Sequence, residues 1–314
     1  MDIHYLKYKD IDKTKWDACI NVSPSNLPYA YSWYLDTIAD HWDALVGEDY
    51  KYVFPLTYNK KLGFKRQLYQ PAFAQQLGIF SSFEITADIS KAFLSSIPKS
   101  FVYIDICLNE GNAFKPFDSF IYYRKTNFIA SLNKPYEQIV NGYTDNHQRN
   151  IRKSKNKNLR IENSVQIQEV IDIYQANQGS KVGLNVNDYA RIKQLIQVLL
   201  DKDKGFIKNV YDAQNNLNLS MFFIKEKNRI INIFGSGNDI GRKNKAMYFA
   251  IDQVFQEYAN QDYIFDFEGS SISGVAYFFK GFGPEKKFYP QIVSNQLPNW
   301  MNMIRATKNW IQNK

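Results

Sequence analysis

The sequence has few of the residues that build cross-linked or metal-binding proteins. Its 314 residues include two cysteines and three histidines. The cysteines, Cys19 and Cys107, are too few for a disulfide scaffold and have no metal-ligand spacing. The histidines, His4, His41 and His147, are scattered along the chain. We therefore expect reduced thiols and no metal site.

Long hydrophobic runs are also missing. No apolar run approaches the ~20 residues that span a bilayer. The first residues, from Met1 to Lys7, lack the apolar region of a signal peptide. We therefore expect a cytoplasmic protein without a membrane span.

Several catalytic and nucleotide-binding motifs do not occur. There is no glycine-rich Rossmann turn after a first strand and no Walker-type lysine loop. No Ser-His-Asp or Cys-His arrangement has a credible context. These absences exclude the common hydrolase and P-loop signatures.

Positive charge and aromatic residues are plentiful. The formal net charge is +8, which is compatible with an anionic partner such as a phosphate-bearing donor, RNA or a membrane surface. Aromatic residues make up 16% of the chain, which favours sheets and aromatic-lined grooves. A general compositional bias towards lysine, asparagine and tyrosine is the alternative explanation.

The length and the order of elements predict two domains, residues 1–132 and 133–314. The first is expected to be a mixed α/β unit. The second is expected to contain a three-strand meander over 205–235, a helix over 244–260 and a C-terminal helix over 297–311. Because the meander loops are too short for crossovers, each sheet should be largely antiparallel. The predicted fold class is α/β (α+β), with helices flanking both sheets.

A short segment near residue 266 concentrates polar and glycine residues. If 263–267 is a strand, Asp266 and Glu268 project to the same face because side chains alternate. Either acid could accept the proton of an amine, and Lys280 could neutralise an oxyanion or a phosphate. A purely structural role, with Asp266 capping a helix and Glu268 paired with Lys280, is equally open.

A turn between a strand and a helix is the candidate for binding a phosphate-bearing donor. Amides at a helix N-terminus bind anions, and basic side chains add full charges. The candidate donor-binding residues are Gly235, Ser236, Gly237, Arg242, Lys243 and Asn244. A polar loop with solvated lysines is the alternative.

Two further groups are candidates for binding substrate. Arg149 and Arg152 share one face of a basic helix, and two arginines can hold a diphosphate or an RNA backbone. A solvated basic surface is the alternative. In the first domain, Tyr69 and Phe73 could line an acceptor groove or simply pack in the core.

Three segments together resemble the GNAT acyltransferases, and more closely the Fem-type branch with two GNAT-like domains in tandem. They are the basic helix over 145–154, the stretch Asp266-Phe267-Glu268-Gly269-Ser270, and Phe279-Lys280-Gly281-Phe282-Gly283, which is similar to a Lys-x-x-Phe-Gly signature. The resemblance covers the second domain well and the first by strand pattern only.

The resemblance implies transfer of an acyl or aminoacyl group to an amine, with Lys280 at the active site. The donor would be an acyl-CoA, such as acetyl-CoA, or an aminoacyl-tRNA, and the acceptor would be an amine, for example of a peptidoglycan precursor. The chain lacks the long coiled-coil insertion that some peptidoglycan-bridge enzymes use to hold tRNA. Its stretch 235–245 also departs from the usual GNAT pyrophosphate turn.

These observations lead to one main functional hypothesis and one alternative. The main hypothesis is an N-acyltransferase whose first domain shapes the acceptor groove and whose second domain binds the donor. Its partners would be a phosphate-bearing donor, with tRNA left open as the carrier, and an amine acceptor, but no DNA and no tightly bound cofactor. The alternative is a non-catalytic GNAT-fold protein that binds RNA or another polyanion.

Overall fold

The computed structural model describes residues 1–61, 65–117, 119–182, 186–269, 273–298 and 300–301. The chain forms two compact units. One consists of residues 126–287, and the other combines residues 1–125 with the chain from Phe288 onward. This division differs from the predicted boundary at 132/133, because the last strand pairs with a strand of the first unit.

Before residue 121, the described part of the first unit contains three short α-helices and six strands. In chain order these are β1 (Ile3–Leu6), α1 (Lys13–Val22), α2 (Ser32–Ile38), β2 (His41–Gly47), β3 (Tyr52–Lys61), β4 (Lys65–Tyr69), β5 (Phe80–Ser81), α3 (Ala87–Ser95) and β6 (Phe101–Cys107). Helix α1 begins where the Asp12 side chain accepts hydrogen bonds from the amides of Thr14 and Lys15.

Strand β7 (Ile121–Ser131) follows β6. It is one continuous strand of 11 residues. Its last part, from Thr126, belongs to the second unit.

The second unit then runs through α4 (Tyr136–Asn141), α5 (Asp145–Lys155), β8 (Arg160–Ser164), α6 (Ile167–Val182), α7 (Val186–Asp201), β9 (Gly205–Tyr211), β10 (Leu217–Glu226), β11 (Arg229–Gly237), α8 (Asp239–Asn244), α9 (Ala246–Tyr258), β12 (Ile264–Asp266) and α10 (Ser273–Lys280). The last strand is β13 (Glu285–Asn295). The predicted helix over 244–260 corresponds to α9, and α8 is a separate short helix before it, because Lys245 between them has a left-handed backbone.

The strands of each unit pair in a largely antiparallel way, as predicted. In the first unit the strand order is β1-β2-β3-β4-β6-β13, with β5 beside β3, and only the β4–β6 pairing is parallel. In the second unit the order is β7-β12-β11-β10-β9-β8, with β11–β12 parallel.

Each unit also has its own hydrophobic core. The first centres on Leu45, Phe54 and Phe93. The second contains an aromatic cluster that includes Phe223, Phe255, Phe265, Phe267 and Phe282. The abundant aromatic residues thus fill the interior of both units.

Two further expectations from the sequence concern the C-terminal helix and membrane-spanning segments. The predicted C-terminal helix over 297–311 lies mostly outside the described residues, as does Ser270. Within the described part of the chain, the helices are too short or too polar to cross a bilayer.

Candidate active site

Strand β11 extends beyond the end of β12 in the second unit. The parallel pairing covers only Arg229–Ile231 of β11 against Ile264–Asp266. β11 continues to Gly237 and stays paired with β10 on its other side. Within the described ranges, no strand pairs with β11 beyond Ile231 on the β12 side. The backbone of β11 from Asn232 onward therefore presents one open edge.

A β-bulge lies at the same point of β11. Phe222 of β10 faces Phe234, whereas the next residue, Phe223, faces Asn232. Ile233 is thus an extra residue on β11, and a bulge of this kind bends its strand and increases the local twist. The bend coincides with the end of the β12 pairing.

A cavity of about 480 Å³ lies at this opening. Its volume falls in the range of small-molecule sites. The side chains that line it are mostly aromatic, thioether or aliphatic, namely Tyr174, Met221, Ile233, Phe234, Met247, Phe267, Val275, Phe278 and Phe279. Asn232 and Glu268 add polar groups to this lining. The cavity is therefore suited to an apolar ligand with few polar contacts.

Asn232 is the buried polar residue of the cavity. Its exposure is 9%, and its Oδ1 atom has no hydrogen-bond partner among the described residues. Buried polar atoms are nearly always hydrogen-bonded, because leaving one unpaired destabilises the fold. The carboxamide thus remains available to a ligand in the cavity.

A second, smaller cavity of about 210 Å³ adjoins the first and shares Gly235 and Met247 with it. It is lined by the turn that sequence reasoning selected for phosphate binding. Four of the six predicted donor-binding residues line it, namely Gly235, Ser236, Gly237 and Arg242. Lys245, Ala246, Met247 and Tyr248 add the start of α9 to the lining.

Hydrogen-bond donors are concentrated in the smaller cavity. The first helical bond of α9 runs from the Phe249 amide to the Lys245 carbonyl, so the amides of the preceding turn have no partner within the helix. No side chain caps α9 at Lys245. The Ser236 hydroxyl is buried and has no hydrogen-bond partner among the described residues. These groups and the Lys245 ammonium are suited to an anion.

Arg242 and Asn244 also make hydrogen bonds that hold the structure of this turn. The Arg242 guanidinium pairs with Asp239 and donates to the Gly237 carbonyl at 2.7 Å. The Asn244 amide donates to Asn218 Oδ1 at 3.0 Å. Lys243 is exposed and does not line the cavity.

Asp266 is buried in a hydrogen-bonded ion pair. Its Oδ2 lies 2.6 Å from an Arg229 guanidinium nitrogen, and its Oδ1 accepts from Asn127 at 2.9 Å and from the Glu268 amide at 2.8 Å. Asp266 is 0% exposed. An acid held in this way cannot reach a substrate amine, so the structure gives Asp266 a supporting role.

The prediction that Asp266 and Glu268 share one strand face is wrong. β12 ends at Asp266, and Glu268 has a φ of +57°, in the left-handed region. This backbone ends the alternation of side chains. Glu268 lines the large cavity, whereas Asp266 is fully buried.

Lys280 is exposed at the end of α10, and its ammonium lies 6.0 Å from the centre of the Phe128 ring. It does not line either cavity, although its neighbour Phe279 lines the larger one. The structure therefore brings Glu268 to the cavity and leaves Lys280 beside it.

The glycines after Lys280 permit close packing. A Cβ atom on Gly281 would lie 1.7 Å from the His147 ring. Gly283 has a φ of +71°, and a Cβ there would lie 2.3 Å from the Gly142 carbonyl oxygen. These two glycines let the end of α10 contact the α4–α5 connection.

His147 is a core histidine on the buried face of α5. Its Nε2 donates to the Phe278 carbonyl at 2.8 Å, which leaves Nδ1 to accept from the Thr144 hydroxyl at 3.1 Å. Its ring packs against Tyr248 and Phe282. Burial lowers its pKa, so the ring is neutral.

The basic helix α5 presents its cations to solvent. Arg149 and Arg152 are both exposed, and Arg149 donates to Asn146 at 3.0 Å. The opposite face buries His147, Ile151 and other residues against α9. Neither arginine lines the two cavities.

The first-unit candidates, Tyr69 and Phe73, make hydrogen bonds within their unit. The Tyr69 hydroxyl accepts from the Asp40 amide at 3.0 Å. The Phe73 carbonyl accepts from the Tyr34 hydroxyl at 2.5 Å, and Phe73 has a φ of +65°. Both side chains are half-buried.

Sequence reasoning missed most of the cavity lining. Asn232 did carry a signal, because it is the one polar residue within Ile230-Ile231-Asn232-Ile233-Phe234. Tyr174, Met221 and Met247 carried none, since aromatic and thioether residues are ordinary core residues.

No protein-family model and no curated protein matches the chain. Solved structures do match it along nearly its whole length. The crystal structure of FemX has a TM-score of 0.63 at 11% identity, and the match covers 99% of this chain and 100% of FemX. A protein of unknown function from Bacteroides thetaiotaomicron has a TM-score of 0.60 at 12% identity, covering 92% and 99%.

A lysylphosphatidylglycerol synthetase, L-PGS from Bacillus licheniformis, is also similar. Its TM-score is 0.54 at 12% identity, with 96% of each chain covered. Identities this low show the fold alone. They confirm the predicted GNAT-like fold, which this chain shares with FemX and L-PGS.

Proposed function

We propose that the protein is an N-acyltransferase that moves an acyl or aminoacyl group from an activated donor to an amine. One observation carries the proposal: the open edge of β11 runs between an apolar cavity and a smaller cavity rich in hydrogen-bond donors. This order matches a donor made of an acyl group, an extended arm and a phosphate.

The phosphate of the donor binds in the smaller cavity. The amides at the start of α9, the Ser236 hydroxyl and the Lys245 ammonium supply both hydrogen bonds and positive charge. Charge-assisted hydrogen bonds of this kind are the strong ones in anion sites. Acyl-CoA and aminoacyl-tRNA both carry such phosphates, so both remain candidate donors.

The arm of the donor lies along β11. An extended ligand with amide groups can pair with an open strand edge as an added strand would. In CoA this arm is the pantetheine chain, which contains two amides. The edge from Asn232 to Gly235 leads from the larger cavity to the smaller one. The acyl group then occupies the larger cavity.

The reaction forms a C–N bond and breaks the bond to the leaving group. The neutral amine attacks the acyl carbon, and backbone amides of β11 donate to the oxyanion. When the intermediate collapses, the thiolate or alkoxide leaves, and the amine proton moves to Glu268 and then to that leaving group. Lys280 is exposed beside Phe279, which lines the cavity, and its ammonium stabilises the negative charge that develops on the oxyanion.

A matched pair of lysines tests the donor site. Lys245 lines the smaller cavity, whereas Lys243, two residues earlier, is exposed outside it. We expect Lys245→Ala to weaken CoA binding by roughly 10- to 150-fold, since a charged hydrogen bond contributes about 1.5–3 kcal/mol. Lys243→Ala should change it by less than ~2-fold. Isothermal titration calorimetry measures both.

Two results would count against acyl-CoA as the donor. Failure of wild-type protein to bind CoA at millimolar concentration would leave aminoacyl-tRNA as the candidate. Equal effects of the two lysine substitutions would mean that CoA binds elsewhere or only through general positive charge.

The exposed cations of α5 favour a second candidate function, the binding of RNA or another polyanion. Arg149, Arg152 and Lys153 are all exposed on that helix. If this function holds, Arg149→Ala with Arg152→Ala reduces RNA binding and lowers the slope of log affinity against log salt by about two. Lys7→Ala with Lys9→Ala, in the first unit, is the control of equal charge.

A further inference from the structure

The position of Asn232 sets it apart from the other buried polar residues of the second unit. It lies on β11 directly after the last residue paired with β12, and it lines the larger cavity. Its side chain is more than nine-tenths buried, with Oδ1 unpartnered among the residues that the structure describes. A group inside the cavity can therefore satisfy it.

The neighbours of Asn232 in the chain argue against a role in folding. Ile230, Ile231, Ile233 and Phe234 are all buried and apolar. An aliphatic residue at 232 would continue this run and leave no polar atom unpaired. A residue that breaks its local pattern without a structural gain is typical of functional positions.

Asn209 provides the contrast. It is also fully buried on a strand of the same sheet, but its side chain is hydrogen-bonded to Glu169, Tyr211 and Ser220. The fold thus satisfies one buried asparagine completely, whereas Asn232, in the wall of an apolar cavity, has an Oδ1 atom without a partner among the described residues.

We infer that Asn232 determines acyl specificity, and that the larger cavity takes an acyl chain that is apolar except for one hydrogen-bond donor, a hydroxyl or an amine. This inference rests on the proposed transferase function. An unsubstituted chain fills the apolar lining but leaves the carboxamide unpaired, whereas a substituted chain pairs with it. Sites built to hydrogen-bond a substrate group discriminate strongly against analogues that lack the group.

Short thioesters test the inference without depending on the phosphate site. We would titrate the full chain with the N-acetylcysteamine thioesters of butanoic, 3-hydroxybutanoic and 3-aminobutanoic acid, and measure affinity by ligand-observed NMR. The wild-type protein should bind at least one substituted thioester ~10-fold or more tightly than the butanoyl thioester. The two substituted probes distinguish a hydroxyl from an amine.

Two leucine variants form the matched comparison. Asn232→Leu should bring the affinity ratio to about one and raise the melting temperature of the unliganded protein, because it removes an unpaired polar atom. Asn209→Leu should lower the melting temperature and leave the ratio unchanged. A merely structural Asn232 would behave like Asn209.

The outcomes separate this inference from the function on which it rests. Equal affinities for the three thioesters, no saturable binding of any of them, or a lower melting temperature for Asn232→Leu would overturn the inference. If the wild-type protein discriminates among the thioesters but does not bind CoA, only the assignment of the phosphate cavity is overturned.

Discussion

Arg229, the first residue of β11, and Asp266, the last residue of β12, form a buried ion pair. The guanidinium nitrogen and the carboxylate oxygen are 2.6 Å apart, and the side chains are 2% and 0% exposed. The same carboxylate accepts from the Glu268 amide. The pair therefore holds both the end of β12 and the backbone of the residue that lines the cavity.

Removing the charge of Asp266 should destabilise the protein strongly. Asp266→Asn leaves Arg229 buried without its counter-ion, which typically costs about 3–5 kcal/mol. Urea unfolding followed by circular dichroism measures the loss. The exposed pair Glu285–Lys287 is the control, and Glu285→Gln should cost at most ~1 kcal/mol. Equal losses for the two variants would contradict the supporting role of Asp266.

Replacement by alanine should change stability by very different amounts at two glycines near α10. A Cβ on Gly281 would overlap the His147 ring, so Gly281→Ala should cost about 1–3 kcal/mol or more. Gly274 has nothing within 4 Å of such an atom, and Gly274→Ala should change stability by less than ~1 kcal/mol. Thermal unfolding compares them. A harmless Gly281→Ala would mean that the α10 end does not pack closely on α5.

Stability should fall as the pH drops below about 6.5 because of His147. Burial holds its pKa below the ordinary value of 6.5, and the hydrogen bond to Phe278 only partly offsets this. Between its folded and unfolded pKa values the unfolded chain binds a proton that the folded chain does not, so acid favours unfolding.

The pH dependence can be assigned with two variants. The melting temperature of His147→Gln should depend less on pH between pH 5 and 7 than that of the wild-type protein. This holds even if the substitution lowers the melting temperature at every pH. His4→Gln should leave the wild-type slope, because His4 is exposed. A slope that survives in His147→Gln would mean that other groups cause it.

Glu268 and Lys280 should each support turnover. If Glu268 accepts the amine proton, Glu268→Gln should reduce kcat by ~10²-fold or more. Lys280→Met should reduce kcat by ~10²-fold if its charge steadies the oxyanion. Thiol release from acyl-CoA with an amine acceptor gives the rates.

Lys243→Met is the control for the loss of one surface charge, because Lys243 is exposed and does not line the cavities. Unchanged turnover for Lys280→Met would remove Lys280 from the mechanism. Unchanged turnover for Glu268→Gln would instead favour catalysis by positioning alone.

Several elements could be predicted because their signals are local. The meander β9–β11 follows from alternating apolar strands and short turns. The turn between β11 and α8 follows from glycines and basic residues between a strand and a helix, and the structure places a cavity there. The helical period placed His147 on a buried face.

Other features depended on contacts between distant segments. Asp266 and Glu268 have different roles because Arg229 and Asn127, which are remote in sequence, bond to the Asp266 carboxylate and bury it. The large cavity depends on where β12 stops beside β11 and on side chains from five elements.

The amino-acid order alone thus determined the strand pattern and the turn after β11, since period and turn chemistry act over a few residues. Its motifs carried the resemblance to the GNAT-like fold. The tertiary structure decided which polar residues face a ligand and which sustain the fold. That choice depends on burial and on hydrogen-bond partners, which arise only when distant strands meet. Asn232 and Asp266 show the difference, because both follow apolar strand residues. Among the described residues, only Asp266 of these two finds partners for its side-chain oxygens.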